Sequence, residues 1–288
     1  MKKILHSFPL IAIFLSLVLI VNGCKSEDEI VTPSEPDLEQ ETISSRNIMT
    51  VTKVLAEANS YAWLYVNGVP SSPSDCPYYF YSSVESAVIV SYSTEPGCTS
   101  IGNIRKSGRY LIAYTVNATH DTLSSYLGFN SFRVYKSITD TNYITITGVL
   151  NYTSKKTSGT TYNLAATGQI AITTKEGNVK YLYLNSPNGL TGTVNLNSPT
   201  VLADDEYLIS GNGSFQDANI TYATVIPSTA PLKMLGSCGF PVSGTINLNR
   251  SGIVTGCDFT PNSSACDAIV TMSRSTFSKT IDISTVNF

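Results

Sequence analysis

Apolar side chains in this chain recur at every second position, in short runs divided by turn dipeptides. Tyr110, Ile112, Tyr114 and Val116 form one run; Phe132 and Val134, Ile144 and Ile146, Ile170 and Ile172, and Leu182 and Leu184 continue the series. A period of two sends successive side chains to opposite faces of an extended strand, so each run has one face to bury. Tyr61, Trp63 and Tyr65 read the same way, as do segments around 194–196, 207–210, 220–225, 242–248, 268–272 and 281–283. Roughly 14 or 15 strands are expected on this pattern. Asn67-Gly68, Ser107-Gly108, Ser158-Gly159, Asn212-Gly213 and Ser251-Gly252 punctuate them, and turns this short join antiparallel neighbours. The expected fold is therefore all-β: an antiparallel meander forming a sandwich or barrel. No stretch repeats the strand-helix alternation of a parallel sheet. One short helix precedes the strands, near 46–59, where Ile48, Val51, Leu55, Ala58 and Ala62 fall at helical spacing behind Ser44 and Ser45 as caps.

Charge narrows what such a fold can do. Asp, Glu, Lys and Arg make up 14% of the 288 residues, against about 25% in an ordinary soluble domain. A basic nucleic-acid-binding face is excluded by that count, as is a charge-driven disordered chain. The charge is also unevenly placed. Between Lys25 and Ser45 lie seven carboxylates and the single Lys25, a net of −6, whereas from Arg46 onward 15 basic side chains meet 14 acidic ones. Pro33 and Pro36 oppose helix there, so 24–45 reads as an acidic disordered tether with a reach of about 25 Å.

Ahead of the tether, Lys2 and Lys3 open onto an apolar run from Phe8 to Val21. Its 14 residues are too few for a membrane-spanning helix, which needs about 20; residues 1–23 have the form of a secretory signal peptide. Val21-Asn22-Gly23-Cys24 follows at once and resembles the lipobox of bacterial lipoproteins, with a branched residue three before the cysteine and a small one just before it. The resemblance covers residues 1–24 and implies cleavage by signal peptidase II and lipidation of Cys24, with palmitate-type acyl chains that hold the protein at a membrane. Lys25-Ser26-Glu27-Asp28-Glu29 further resembles the acidic export signal of lipoproteins sent to the cell surface, so an outer-membrane, surface-exposed location is expected, with the periplasmic face as the alternative. Residues 46–288 are then the β-rich body, with 238–288 as a candidate C-terminal module. Its Cys238-Gly239-Phe240-Pro241 opening and Cys266-Asp267 resemble a pattern in bacterial surface lipoproteins to which no activity is attached.

Five further cysteines, Cys76, Cys98, Cys238, Cys257 and Cys266, would sit in an oxidising compartment and are disulfide candidates. Cys76 and Cys98 flank a hairpin and are the favoured pair; Cys238 with Cys266, or Cys257 with Cys266, would leave one thiol over. Metal and cofactor chemistry find little to use. The body has one histidine, His120, in a loop beside Asp121, and no cysteines two apart. No Gly-x-Ser-x-Gly elbow and no glycine-rich phosphate loop occur. Asp204-Asp205-Glu206 is the one carboxylate cluster, read as a solvated turn with a Ca²⁺ loop as its sharper alternative. Asp121-Thr122-Leu123 resembles a short O-glycosylation motif.

Aromatics carry the remaining signal. Tyr78, Tyr79, Phe80 and Tyr81 put rings on both faces of one strand, and Trp63, Tyr65, Tyr79 and Tyr81 form a candidate ligand patch, since exposed Tyr and Trp give large contact area at small entropic cost. The function expected is non-catalytic: a membrane-anchored surface lipoprotein that binds an envelope or extracellular macromolecule or glycan, or fills a structural role. A carrier enclosing an apolar ligand in a β cavity, or a carbohydrate-active enzyme with two converging carboxylates, is the alternative.

Overall fold

The computed structural model describes residues 37–100, 102–185, 189–198, 201–260 and 266–288. The signal segment 1–23, Cys24 and the tether up to residue 36 lie outside the described residues.

Among the described residues, sixteen strands belong to one antiparallel sheet, and one long helix lies against its inner face. The helix, α1, runs Glu39–Val66 and is 28 residues long, twice the span expected. It starts inside the segment read as tether, because Glu39 and Glu41 suit the positive end of the helix dipole. The hydroxyls of Thr42, Ser44, Thr50 and Thr52 bond back to carbonyls four residues earlier and so do not compete for the turn ahead. It also continues through Tyr61, Trp63 and Tyr65, which are helical and not a strand. Asn67-Gly68 ends it, with Gly68 at φ +72°.

The strands are β1 Tyr78–Ser82, β2 Ala87–Ser91, β3 Cys98–Ser100, β4 Ile104–Val116, β5 Thr122–Tyr135, β6 Tyr143–Ser158, β7 Thr161–Thr174, β8 Val179–Leu184, β9 Leu190–Asn195, β10 Glu206–Asp217, β11 Ile220–Ile226, β12 Leu232–Leu235, β13 Thr245–Arg250, β14 Ile253–Asp258, β15 Ile269–Arg274 and β16 Phe277–Asp282. From β4 to β7 they follow the meander order, each paired with the next. β8 and β9 act as one interrupted strand: both lie between β7 and β10, β8 beside Gly168–Thr173 and β9 beside Thr161–Ala166. β11 and β12 divide the other side of β10 in the same way. β13 to β16 extend this sheet, so 238–288 is not a separate module; Asp37–Phe288 form a single compact unit.

Instead of stacking on a second sheet or enclosing an empty barrel, the sheet curls around the helix. Residues from β1, β4, β6, β10 and β15 all touch α1: Tyr79 packs on Tyr61, Lys106 pairs Glu57, Ser154 accepts from Trp63, Tyr207 bonds Ser60 and Arg274 pairs Glu41. Where β6 and β7 pair, Gly148 and Gly168 take φ of +124° and +136°, which belong to glycine; a Cβ there would meet Gln169 O at 2.6 Å and Val149 O at 2.7 Å.

Surrounded by sheet, α1 is buried on every side from Thr42 to Leu64 apart from Ile43. That is why it has no strong apolar stripe: its polar residues are met by sheet residues instead of water.

Candidate functional site

The structure divides the expected aromatic patch. Trp63 is 1% exposed; its indole N–H donates to Ser154 Oγ at 2.9 Å and its ring centre is 4.5 Å from that of Tyr162. A helix turns about 100° per residue, so alternation cannot bring Trp63 outward as it would on a strand. Tyr79 is also buried, against Tyr61 at 5.7 Å. Neither ring is available to a ligand. Tyr65 and Tyr81 do come together, stacked at 5.9 Å, with Tyr114 edge-on to Tyr65 at 6.2 Å. Tyr81 remains 46% exposed.

The cysteines form Cys76–Cys98 and Cys238–Cys266, leaving Cys257 reduced and buried. The pairing of Cys257 with Cys266 is thereby excluded. Burial pushes the Cys257 thiol up to about 12, away from nucleophile or metal-ligand behaviour.

The polar candidates scatter. His120 is exposed in a turn at φ +56°. Asp121 is held below its usual range by hydrogen bonds from Thr122, Asn117 and Thr119, a self-contained turn. Asp204 faces solvent, Asp205 is 1% exposed in the interior, and Glu206 pairs Lys233 at 2.9 Å, so the three carboxylates converge on no common point. Among the described residues no group of three His, Cys, Asp or Glu is placed to hold a metal ion.

Concavity appears instead on the outer face of the sheet, the side away from α1. One depression of about 820 Å³ crosses β4, β5, β6 and β7, lined among others by Thr115, Ser124, Tyr126, Asn151, Thr153 and Thr167. A second, about 580 Å³, shares Thr153 and Ala165 with it and runs on over Asn163, Thr193 and Ser210. A third, about 420 Å³, shares Thr191, Ser210 and Ser228 with the second and ends by Asn212 and Thr229. Together they form a continuous trough over six strand-to-strand steps, roughly 29 Å at about 4.8 Å per step. Among the described residues its lining contains one charged side chain, Lys155, and no carboxylate.

Strand register explains the line of hydroxyls. Thr115 pairs Ser124, Ser124 pairs Thr153, Thr153 pairs Ala165 and Ala165 pairs Thr191, all outward-phase positions. Tyr126 stands on this face, 61% exposed. Sequence reasoning missed the site because it followed the inward, apolar phase of each run. The signal was in the intervening residues, where Ser, Thr and Asn replace the Lys and Glu usual on an exposed strand face.

Comparison with protein-family models, with curated proteins and with solved structures finds no match to this chain.

Proposed function

We propose that this chain is a lipid-anchored bacterial surface lipoprotein whose β body binds an uncharged, polyhydroxylated polymer, a neutral glycan, along the outer trough. The observation that carries the reading is the composition of that trough. Its hydroxyls and amides supply donors and acceptors in both senses, while Tyr126 offers an open ring face against which a sugar ring can stack. A wholly apolar ligand would leave these hydroxyls without partners, whereas the apolar surface between them, from residues such as Ala113, Tyr114 and Ala165, suits the ring faces of a sugar. Nucleic acid would want a row of cations, where among the described residues the lining offers Lys155 alone. A carrier role is less well supported, since α1 and the side chains packed on it occupy the inside of the sheet. Glycosidic cleavage needs two carboxyl groups flanking the bond, and among the described residues the trough lining supplies none. Binding is the role this lining supports.

Electrophoretic retardation of the protein in gels containing neutral polysaccharides tests the binding. Tyr126→Ala should weaken retardation by about tenfold or more, the scale of an exposed aromatic anchor, and leave the unfolding midpoint unchanged. Equal retardation of variant and parent, or none in any neutral polymer, would overturn the reading. Lipidation is tested separately: Cys24→Ser should abolish labelled fatty acid incorporation, and shaving intact cells with protease should release the body from the surface.

A further inference from the structure

Four charged side chains lie together in the interior between α1 and the sheet. Lys53 and Glu57 come from the helix, Lys106 from β4, and Asp205 from the turn Leu202–Asp205 that leads into β10. Lys106 contacts Glu57, and Lys53 Nζ lies 3.9 Å from Glu57 while donating to Leu235 O at 2.6 Å. Asp205 is the least well served. One of its carboxylate oxygens accepts from Tyr207 Oη at 3.2 Å, and Tyr207 is in turn bonded to Ser60 Oγ of the helix at 2.8 Å. The other, Oδ1, is buried with no partner.

An ionised carboxylate in that position needs donors it does not have. Nearby space, bounded by Glu57, Tyr61, Leu202, Tyr207 and Gly236, amounts to about 10 Å³, room for about one water molecule at most. A single water there could bond Oδ1 but would leave the charge poorly solvated, so the group is favoured to take up a proton or to move outward. An outward movement would have to open the turn itself, which Asn197 Nδ2 also holds by donating to Asp204 O at 2.6 Å. The turn carrying Asp205 is held to the segment after β12 by two backbone bonds, Gly236 N–H to Asp205 O at 2.7 Å and Ser237 N–H to Ala203 O at 3.0 Å.

We propose that Asp205 is a proton-operated latch: protonated, it stays inside and holds the Leu202–Asp205 turn against Gly236 and Ser237; ionised, it leaves the interior and the turn opens locally. The groups facing it are Lys53, Glu57, Tyr61 and Ser60 of α1, Lys106 of β4, Tyr207 of β10 and its neighbour Asp204. Desolvation outweighs the hydrogen bonds from Ser60 and Tyr207 and the charge of Lys53, raising Asp205 from 3.8 to about 7. The closed state thus holds a proton that the open state loses near its ordinary value, so opening grows as pH rises toward 7 and levels off above it.

Hydrogen exchange of the full protein, with rates divided by intrinsic rates, tests this at the Gly236 and Ser237 amides. Between pH 5.5 and 7.5 their opening equilibrium should rise about 20-fold, then change little up to pH 9. Amides of β6 and β7, which exchange through global unfolding, should stay far more protected than these two at every pH. Asp205→Asn should remove the pH dependence at both amides, and Tyr207→Phe, which deletes a donor to the carboxylate, should move the midpoint upward. Protection at Gly236 and Ser237 that is flat with pH would overturn the proposal, as would protection there no lower than at the β6 and β7 amides. The parent titration decides even if a variant fails to fold.

Discussion

The guanidinium of Arg46 sits 4.3 Å from the centre of the Phe288 ring, joining the first turns of α1 to the last residue of the chain. Its Nη1 donates to Val286 O and, at 3.3 Å, to Ser284 O, while Nη2 donates to Lys136 O at 3.1 Å. One buried side chain thus ties the tail after β16 to the end of β5. Phe288 is 7% exposed, an inward anchor of the core.

Arg46→Met should therefore cost about 2–4 kcal/mol, because three carbonyls lose a charged donor and are left in a closed interior. Arg46→Lys should recover only part, since an ammonium cannot reproduce the fork. Urea denaturation checks both. Removing residues 284–288 in the Arg46→Met background should add much less than it does in the parent, as expected for partners in one interaction; full additivity would show that the tail is held by other means.

The Trp63 indole gives a second test. Trp63→Phe keeps a ring beside Tyr162 but deletes the donor to Ser154 Oγ, which is 0% exposed. The expected cost is about 1–3 kcal/mol. Ser154→Ala should be milder than Trp63→Phe, and the double variant Trp63→Phe, Ser154→Ala should be less destabilised than the sum of the two. Thermal unfolding of the four proteins measures the coupling.

These two interactions mark where the sequence was readable and where it was not. Period-two runs and their turns located most strands, because a strand with one face to bury writes its register into alternate residues. The Cys76–Cys98 bridge was legible for the same local reason, a hairpin between its ends. The extent of α1 was not. A helix enclosed by a sheet needs no solvent-facing stripe, so Arg46, Lys53, Glu57 and Asn59 interrupted the apolar pattern, and tyrosines at 61 and 65 imitated a strand. The trough was hidden differently: its lining comes from the outward residues of seven strands brought side by side. Neither appears as a local motif.

Cys257 offers a chemical check on the interior. With the thiol buried and pushed up to about 12, it should resist a thiol reagent at pH 8 for as long as the protein stays folded. In a Cys24→Ser protein, about one equivalent should react after denaturation without reductant, the other four cysteines being bridged. Rapid reaction in the native state would mean that β13 to β15 open readily.

Lys53 and Asp205 together predict an unusual pH profile for global stability. Asp205 is raised to about 7, so the folded chain holds its proton over about pH 4–7 while the unfolded chain has lost it; stability falls as pH climbs through that window. Lys53 is lowered to about 8 from 10.5, chiefly by burial, so between those values the unfolded chain is the one that holds more protons; stability rises with pH there. The two slopes have opposite sign and meet near pH 7–8, where Asp205 has given up its proton and Lys53 still carries its own. Urea midpoints taken from pH 5 to 10 should therefore pass through a minimum close to neutrality, with arms of a few kcal/mol at most. Asp205→Asn should flatten the acid arm alone and Lys53→Met the alkaline arm alone. A maximum at neutral pH in the parent would show that mutual attraction within the cluster outweighs the cost of burying it.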